Sequence, residues 1–324
     1  MKIFVGSAPS SGSTHLATLL DRHPDIYCAP ELFLFNHRNA HERWRIFKWH
    51  AQTGFSNGMP DLPTGVPIVL KDADSLGMSR KQACRMMLAE PDFRAFADRL
   101  AGHVARATGK RVFAEKTPSN IYCARQLLDW TDTHVVELLR HPLDMVNSYV
   151  RKGFGLLESV GFWMGAVAAG HVTQGRERCL RVRYEDLRDT PLATMNGLMA
   201  QVGLPVYEEA LLADPTRNTV DPDYRGRSEA WSRLPGDLSW PMATTGDRNL
   251  LVKLPNYRLS PRFANYLGME RMTLAELADL TDYRLETVEP NYRYRWPKPT
   301  MTRRQLHWFR RIYGLRVPEI LCSE

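Results

Sequence analysis

Apolar and polar positions follow two periods along this chain, and the points where one period gives way to the other organise it. Lys2 to Val5 is a short β-type run closed by Gly6, and Leu16, Leu19 and Leu20 then fall at helical spacing between Ser13 and Leu20. A strand, a small-residue loop and a helix are predicted in succession. His23-Pro24 ends that helix, Ile26 to Cys28 predicts a short strand, and Ala40 to Gln52 predicts a helix with Trp44, Phe47 and Trp49 on one face. Thr53 to Pro67 is rich in Gly and Pro and predicts a mobile loop or an insertion. Pro91 to Thr108 has a helix-start proline and apolar positions at Phe93, Phe96, Leu100 and Val104, after which Arg111 to Ala114 predicts a strand. Val135 to Leu139 is the clearest buried strand. Arg140-His141-Pro142 follows it directly, with a helix from Leu143 to about Arg151, and Leu180 to Val182 repeats the strand pattern before Tyr184-Glu185-Asp186. Strands alternating with helices predict an α/β fold, a parallel sheet flanked by helices on both faces. From Asp214 to Gly246 the pattern gives way to Pro, Gly, Asp and Arg, which predicts loop. No internal repeat or low-complexity tract interrupts the order.

Composition adds scale. A chain of 324 residues that is 44% hydrophobic and 24% charged has apolar material for one large core, so a single domain with loop insertions is expected. Its core would be 1–205, its loop-rich part 206–290 and its basic C-terminal extension 291–324. The formal charge of +7 suggests anionic ligands or partners, yet much of it is local. No acidic residue lies between Glu289 and Glu319, while Arg293, Arg295, Lys298, Arg303, Arg304, Arg310, Arg311 and Arg316 do. That tail, with Trp296, Trp308, Phe309 and Tyr313, suits a final helix with an exposed basic face, an acidic partner such as a carrier protein, or nucleic acid. Packing is the favoured reading, because no nucleic-acid module accompanies the charge.

The five cysteines show no metal or redox spacing, and their odd number argues against a disulfide framework. The histidines show no metal-ligand spacing either. Only Ile3, Phe4 and Val5 separate Lys2 from Gly6, too few for a signal peptide, and the apolar run from Gly161 to Gly170 is too short for roughly 30 Å of hydrocarbon. A cytoplasmic protein is expected, with no metal, no membrane and no nucleic acid.

Two segments carry chemistry. In Gly6-Ser7-Ala8-Pro9-Ser10-Ser11-Gly12-Ser13-Thr14, successive backbone N–H groups can face a phosphate at a helix N-terminus, although such a loop can also be only a turn. A nucleotide-triphosphate loop would need Gly-x-x-x-x-Gly-Lys-Ser/Thr; here the glycines are one residue too far apart and Ser13 stands where the lysine would be. In the second segment a buried strand delivers Arg140, whose fork suits phosphate, and the following helix carries the Ser148 hydroxyl two turns on. Helix capping or ion pairing is the other reading of Arg140. Strand ends of an open parallel sheet are where ligands bind.

Together the two segments resemble the nucleotide-binding elements of sulfotransferases that use 3′-phosphoadenosine 5′-phosphosulfate (PAPS). His23-Pro24-Asp25 with Pro30-Glu31-Leu32, then Glu115-Lys116-Thr117-Pro118, then Val182-Arg183-Tyr184-Glu185-Asp186-Leu187 are similar to further blocks of that family in the same order, over roughly residues 1 to 205. Val252-Lys253-Leu254-Pro255 is similar to a later element near the nucleotide. The blocks look most like the bacterial and tyrosylprotein branches. The resemblance implies a P-loop-like fold and a metal-independent transfer of a sulfuryl group to a hydroxyl or amine of a small-molecule or carrier-tethered acceptor, of the kind met in natural-product biosynthesis.

It also implies roles. Ala8, Pro9, Ser10, Ser11, Gly12, Ser13 and Thr14 would hold the phosphosulfate, Arg140 and Ser148 the 3′-phosphate, Tyr184 would lie near the adenine, and Lys253 near the nucleotide. Glu31 would be the general base and Lys116 the cation on the leaving oxygen. One departure stands out: the family has Lys or Arg where this chain has Ser10. His15, Lys71, Lys116 or Lys253 would have to substitute, or the enzyme would be slow. A nucleotide kinase with a degenerate loop and a non-catalytic protein that binds 3′,5′-diphosphoadenosine are the rival readings.

Overall fold

The computed structural model describes residues 1–29, 73–152, 154–213 and 256–283, with residues 31, 32, 34, 44, 48, 285, 322 and 323. Of the expected helix over Ala40–Gln52 only residues 44 and 48 are described, both helical; the loop-rich stretches 53–67 and 214–246, the basic tail 291–321, and Lys71 and Lys253 lie outside the described residues.

Five parallel strands form the central sheet: β1 Lys2–Ser7, β2 Ile26–Ala29, β3 Val112–Lys116, β4 Thr133–Leu139 and β5 Cys179–Arg183, in the order β2-β3-β1-β4-β5. The period-2 pattern assigns each strand residue to one of two cores. Ile3 and Val5 of β1, with Val136 and Leu138 of β4, pack against Leu16, Leu19 and Leu20 of α1 (Ser13–Arg22). Phe4, Val135 and Leu139 point the other way, into a larger core with Phe96 and Leu100 of α3 (Phe93–Thr108). Helices therefore cover both faces, as an all-parallel sheet requires.

The remaining described helices include α2 (Arg80–Ala89), α4 (Ala124–Leu127), α5 (Pro142–Lys152), α6 (Leu156–His171), α7 (Tyr184–Asp189) and α8 (Pro191–Val202). α2 starts on a reciprocal cap between Ser79 and Gln82. The apolar run Gly161–Gly170 is the buried body of α6, and none of the described helices is long and apolar enough to cross a membrane. β3 begins one residue later than the expected strand and runs two residues further, which brings Glu115 and Lys116 into the sheet. The expected helix at Pro91 begins at Phe93, because the Asp92 carboxylate caps it by accepting from the Ala95 N–H at 2.8 Å.

Strand order places the change of direction around β1: the chain goes from β1 to the edge strand β2, returns inward to β3 beside β1, then crosses to β4 and β5 on the other side. Ligand crevices in doubly wound sheets open at that point, beyond the C-terminal strand ends. Residues 8–12 leave β1 there.

Candidate active site

The loop after β1 turns on two left-handed residues, Ser10 (φ 64°) and Gly12 (φ 89°). Gly12 is the N-cap of α1 and supplies no side-chain cap, and the first turn of the helix carries no acidic residue. The free N–H groups at the start of α1 thus keep their partial positive charge for an anion. Gly12 has no room for a side chain: a Cβ there would lie 2.2 Å from the Tyr184 ring. Tyr184 opens α7 and is buried, and the Arg140 guanidinium lies over its ring with 4.6 Å to the centroid. The tyrosine is thus clamped between the loop glycine and the arginine.

Arg140 follows the last residue of β4 and is buried. Its Nη1 donates to the Ser10 carbonyl at 2.9 Å, and its own carbonyl accepts from the Trp163 indole at 2.9 Å. Its Nε, the Ser7 and Ser11 hydroxyls and Glu137 Oε1 are buried, without a hydrogen-bond partner among the described residues, and belong to residues that line one small cavity beneath the loop. Ser148 is half-buried on α5. At the far end of the same helix, Lys152 reaches back to donate to the Ser10 hydroxyl at 2.5 Å, its ammonium 5.4 Å from the centroid of the Tyr149 ring.

On the other side of β1, the end of β3 fixes the segment containing Glu31 twice. The buried Lys116 ammonium pairs with the Glu31 carboxylate and donates to the Thr14 hydroxyl at 3.3 Å. Its neighbour Glu115, fully buried, accepts from the Leu32 N–H at 2.9 Å, from Asn120 Nδ2 at 2.6 Å and from the Thr117 hydroxyl. Asn120 Nδ2 also donates to the Val5 carbonyl at 3.1 Å, so one carboxylate ties β1, β3 and the Glu31 segment together. Burial pushes the Glu115 carboxyl up to about 7, against the pull of those donors and of Lys116. Burial first, and then the Glu31 and Glu158 charges, push the Tyr149 hydroxyl upward.

The residues singled out from sequence therefore divide plainly. Residues 8–14, Glu31, Lys116, Arg140 and Tyr184 meet at the ends of β1, β3 and β4. Of the suggested replacements for a cation at Ser10, burial and the Arg22 charge push His15 down to about 4, so it is neutral at pH 7. Lys116 is engaged with Glu31. Lys152, Glu115 and Tyr149 were not anticipated. Only the i, i+4 spacing of Ser148 and Lys152 on α5 hinted at the first, and nothing in a one-residue step before Lys116 marked Glu115 as a buried anchor.

Comparison with known proteins gives four findings. The model described as the sulfotransferase family matches residues 2–209. The fold is similar to the sulfotransferase domain of the olefin synthase of Synechococcus PCC 7002 at 20% identity and a TM-score of 0.55, covering 88% of this chain and 95% of that one. It is also similar to the sulfotransferase domain from the curacin biosynthetic pathway, at 19% identity and a TM-score of 0.56, covering 88% and 98%. No curated protein sequence matches the chain.

Proposed function

The chain belongs to the sulfotransferase family, and on that premise we propose that it moves the sulfuryl group of PAPS to a hydroxyl or amine of a small-molecule or carrier-tethered acceptor. The observation that carries this reading is the meeting of the Glu31–Lys116 pair with Thr14 at the mouth of an uncapped helix whose loop is held by Arg140. A carboxylate, a buried ammonium and an anion-binding helix start are the three parts that in-line transfer of a charged group needs.

The residues fit such a donor. The phosphosulfate would lie on the N–H groups of loop 8–14, and Arg140 with Ser148 would take the 3′-phosphate through a planar fork and a hydroxyl. Tyr184, in contact with Arg140, would lie toward the base. In the reaction the acceptor oxygen attacks sulfur while Glu31 takes its proton. The new O–S bond forms as the bond between sulfur and the 5′-phosphate oxygen breaks, and the electron pair stays on that oxygen, giving 3′,5′-diphosphoadenosine. Glu31 loses its negative charge on protonation and releases its partner, so Lys116 becomes available to the oxygen on which charge develops. This couples proton removal to leaving-group stabilisation through one ion pair.

We place the protein in the cytoplasm, in keeping with an odd number of cysteines whose spacing suits no disulfide framework. Relatives named for an olefin synthase and for the curacin pathway support a biosynthetic acceptor. Transfer of radiolabelled sulfate from PAPS to a panel of hydroxyl and amine acceptors, run in EDTA, tests the reading. Labelled product in EDTA is expected. Turnover that instead requires ATP and Mg²⁺ would mean a phosphotransferase, and tight binding of 3′,5′-diphosphoadenosine with no transfer to any acceptor would mean a binding protein.

A further inference from the structure

The anion-binding loop, residues 8–14, contains no charged side chain. Its positive charge is brought from outside, and two cations converge on its crown at Ser10: Arg140 on the carbonyl and Lys152 on the hydroxyl. We propose that Lys152 is a further functional residue of this site, supplying the loop with a full positive charge through the Ser10 hydroxyl, which passes its own proton forward as a hydrogen bond to the transferring sulfuryl group or its bridging oxygen. The inference rests on the reading of the site given above and names a residue that the reading did not include.

Three observations carry it. First, Ser10 is in the left-handed region, where glycine is the favoured residue. A side chain retained in that conformation, two residues before Gly12, marks the hydroxyl as used. Second, a hydroxyl has one proton to donate and two lone pairs. Lys152 occupies a lone pair at 2.5 Å, so the Ser10 proton is left to point away from the ammonium, and the ammonium polarises it. Third, the lysine is held for this contact. It ends α5, the helix that Arg140 precedes, and its ammonium lies against the Tyr149 ring, which is itself stacked on Phe154 at 4.3 Å. Arginine and lysine are therefore delivered from the two ends of α5 to the same loop residue.

Kinetics and binding of Lys152→Gln, Ser10→Ala, the double variant and the exchange Ser10→Lys/Lys152→Gln test the proposal, with circular dichroism confirming that each folds. Lys152→Gln and Ser10→Ala should each lower kcat by about 30-fold or more, and the double variant no further, because the pair acts as one unit. The exchange should recover turnover to within about tenfold of wild type. The Kd for 3′,5′-diphosphoadenosine, which lacks the transferring group, should change by less than about threefold. Wild-type turnover in Lys152→Gln, or losses that multiply in the double variant, would overturn the proposal. So would a Kd for 3′,5′-diphosphoadenosine that rises as much as kcat falls, since Lys152 would then be a plain nucleotide contact. Thermal shifts with inorganic sulfate and pyrophosphate separate this from the wider reading. Either anion should stabilise wild type more than it stabilises Lys152→Gln; equal shifts, or none in wild type, would overturn the inference whether or not the chain transfers sulfuryl groups.

Discussion

Replacing Gly12 by alanine perturbs the loop at its tightest point, and the cost can be worked from the structure. The backbone φ of 89° costs an L side chain about 1 kcal/mol. The new Cβ would lie 2.2 Å from the Tyr184 ring, where carbon contacts ordinarily begin at about 3.5 Å, so the ring must retreat by about 1.3 Å. Overpacking of that kind costs about 1–3 kcal/mol. The sum, about 2–4 kcal/mol, is measurable as a fall in the urea midpoint. Gly175→Ala isolates the clash, because Gly175 has nearly the same φ, 80°, and a Cβ there would meet nothing within 4 Å. It should cost only the backbone term, about 1 kcal/mol. Tyr184 carries Arg140 on its ring, so Gly12→Ala should also weaken 3′,5′-diphosphoadenosine in calorimetry while Gly175→Ala leaves it unchanged. Equal destabilisation by the two substitutions would refute the packing of Tyr184 on Gly12.

Three further outcomes follow from the same geometry. Glu31→Gln should leave nucleotide affinity near wild type and reduce kcat by about 10²–10⁴, the range for loss of a general base; full activity in steady-state assays would remove Glu31 from that role. Glu115→Gln turns a four-lone-pair acceptor into a group with a donor facing the Leu32, Asn120 or Thr117 donors. It should destabilise by about 1–3 kcal/mol in urea unfolding and lower kcat with it, whereas an unchanged midpoint would show that the anchor is dispensable. Burial pushes both Glu115 and Glu137 up to about 7 from the ordinary 4.5, so the folded state binds their protons more tightly than the unfolded chain. Their contribution is therefore fully present below pH 4.5 and lost as pH rises through 7, by up to about 3 kcal/mol each. Glu137→Gln should roughly halve that slope in unfolding curves taken between pH 4.5 and 8, and an unchanged slope would contradict the assignment.

Periodicity made the sheet legible because both faces of it are buried: Ile3 and Val5 against α1, Phe4 against α3, and the same alternation in Val135 to Leu139. The loop and Arg140 were legible because small residues and a strand-end arginine have a local reason to be where they are. What escaped was long-range or hidden within an apolar run. Lys152 looks like any helix-terminal lysine until α5 folds back on the loop, and its partner lies 142 residues away. Glu137 interrupts the clearest apolar strand, yet its carboxylate is buried beside Gly170, where a Cβ would stand 1.9 Å from Oε1. Glycine in α6 leaves the space that a charged strand residue needs, and that complementarity between two distant positions has no local signature. Tyr184 similarly reads as an aromatic after a strand. Its clamp between Gly12 and Arg140 depends on three separate elements meeting.

Calorimetric titration of the wild-type chain with 3′,5′-diphosphoadenosine, with Arg140→Ala beside it, tests most directly whether this site is built for the sulfuryl donor. One-site binding that Arg140→Ala weakens by at least about tenfold, consistent with loss of a charge-assisted pair, is the predicted result. No heat and no thermal shift at millimolar nucleotide, or equal affinity in the two proteins, would contradict it.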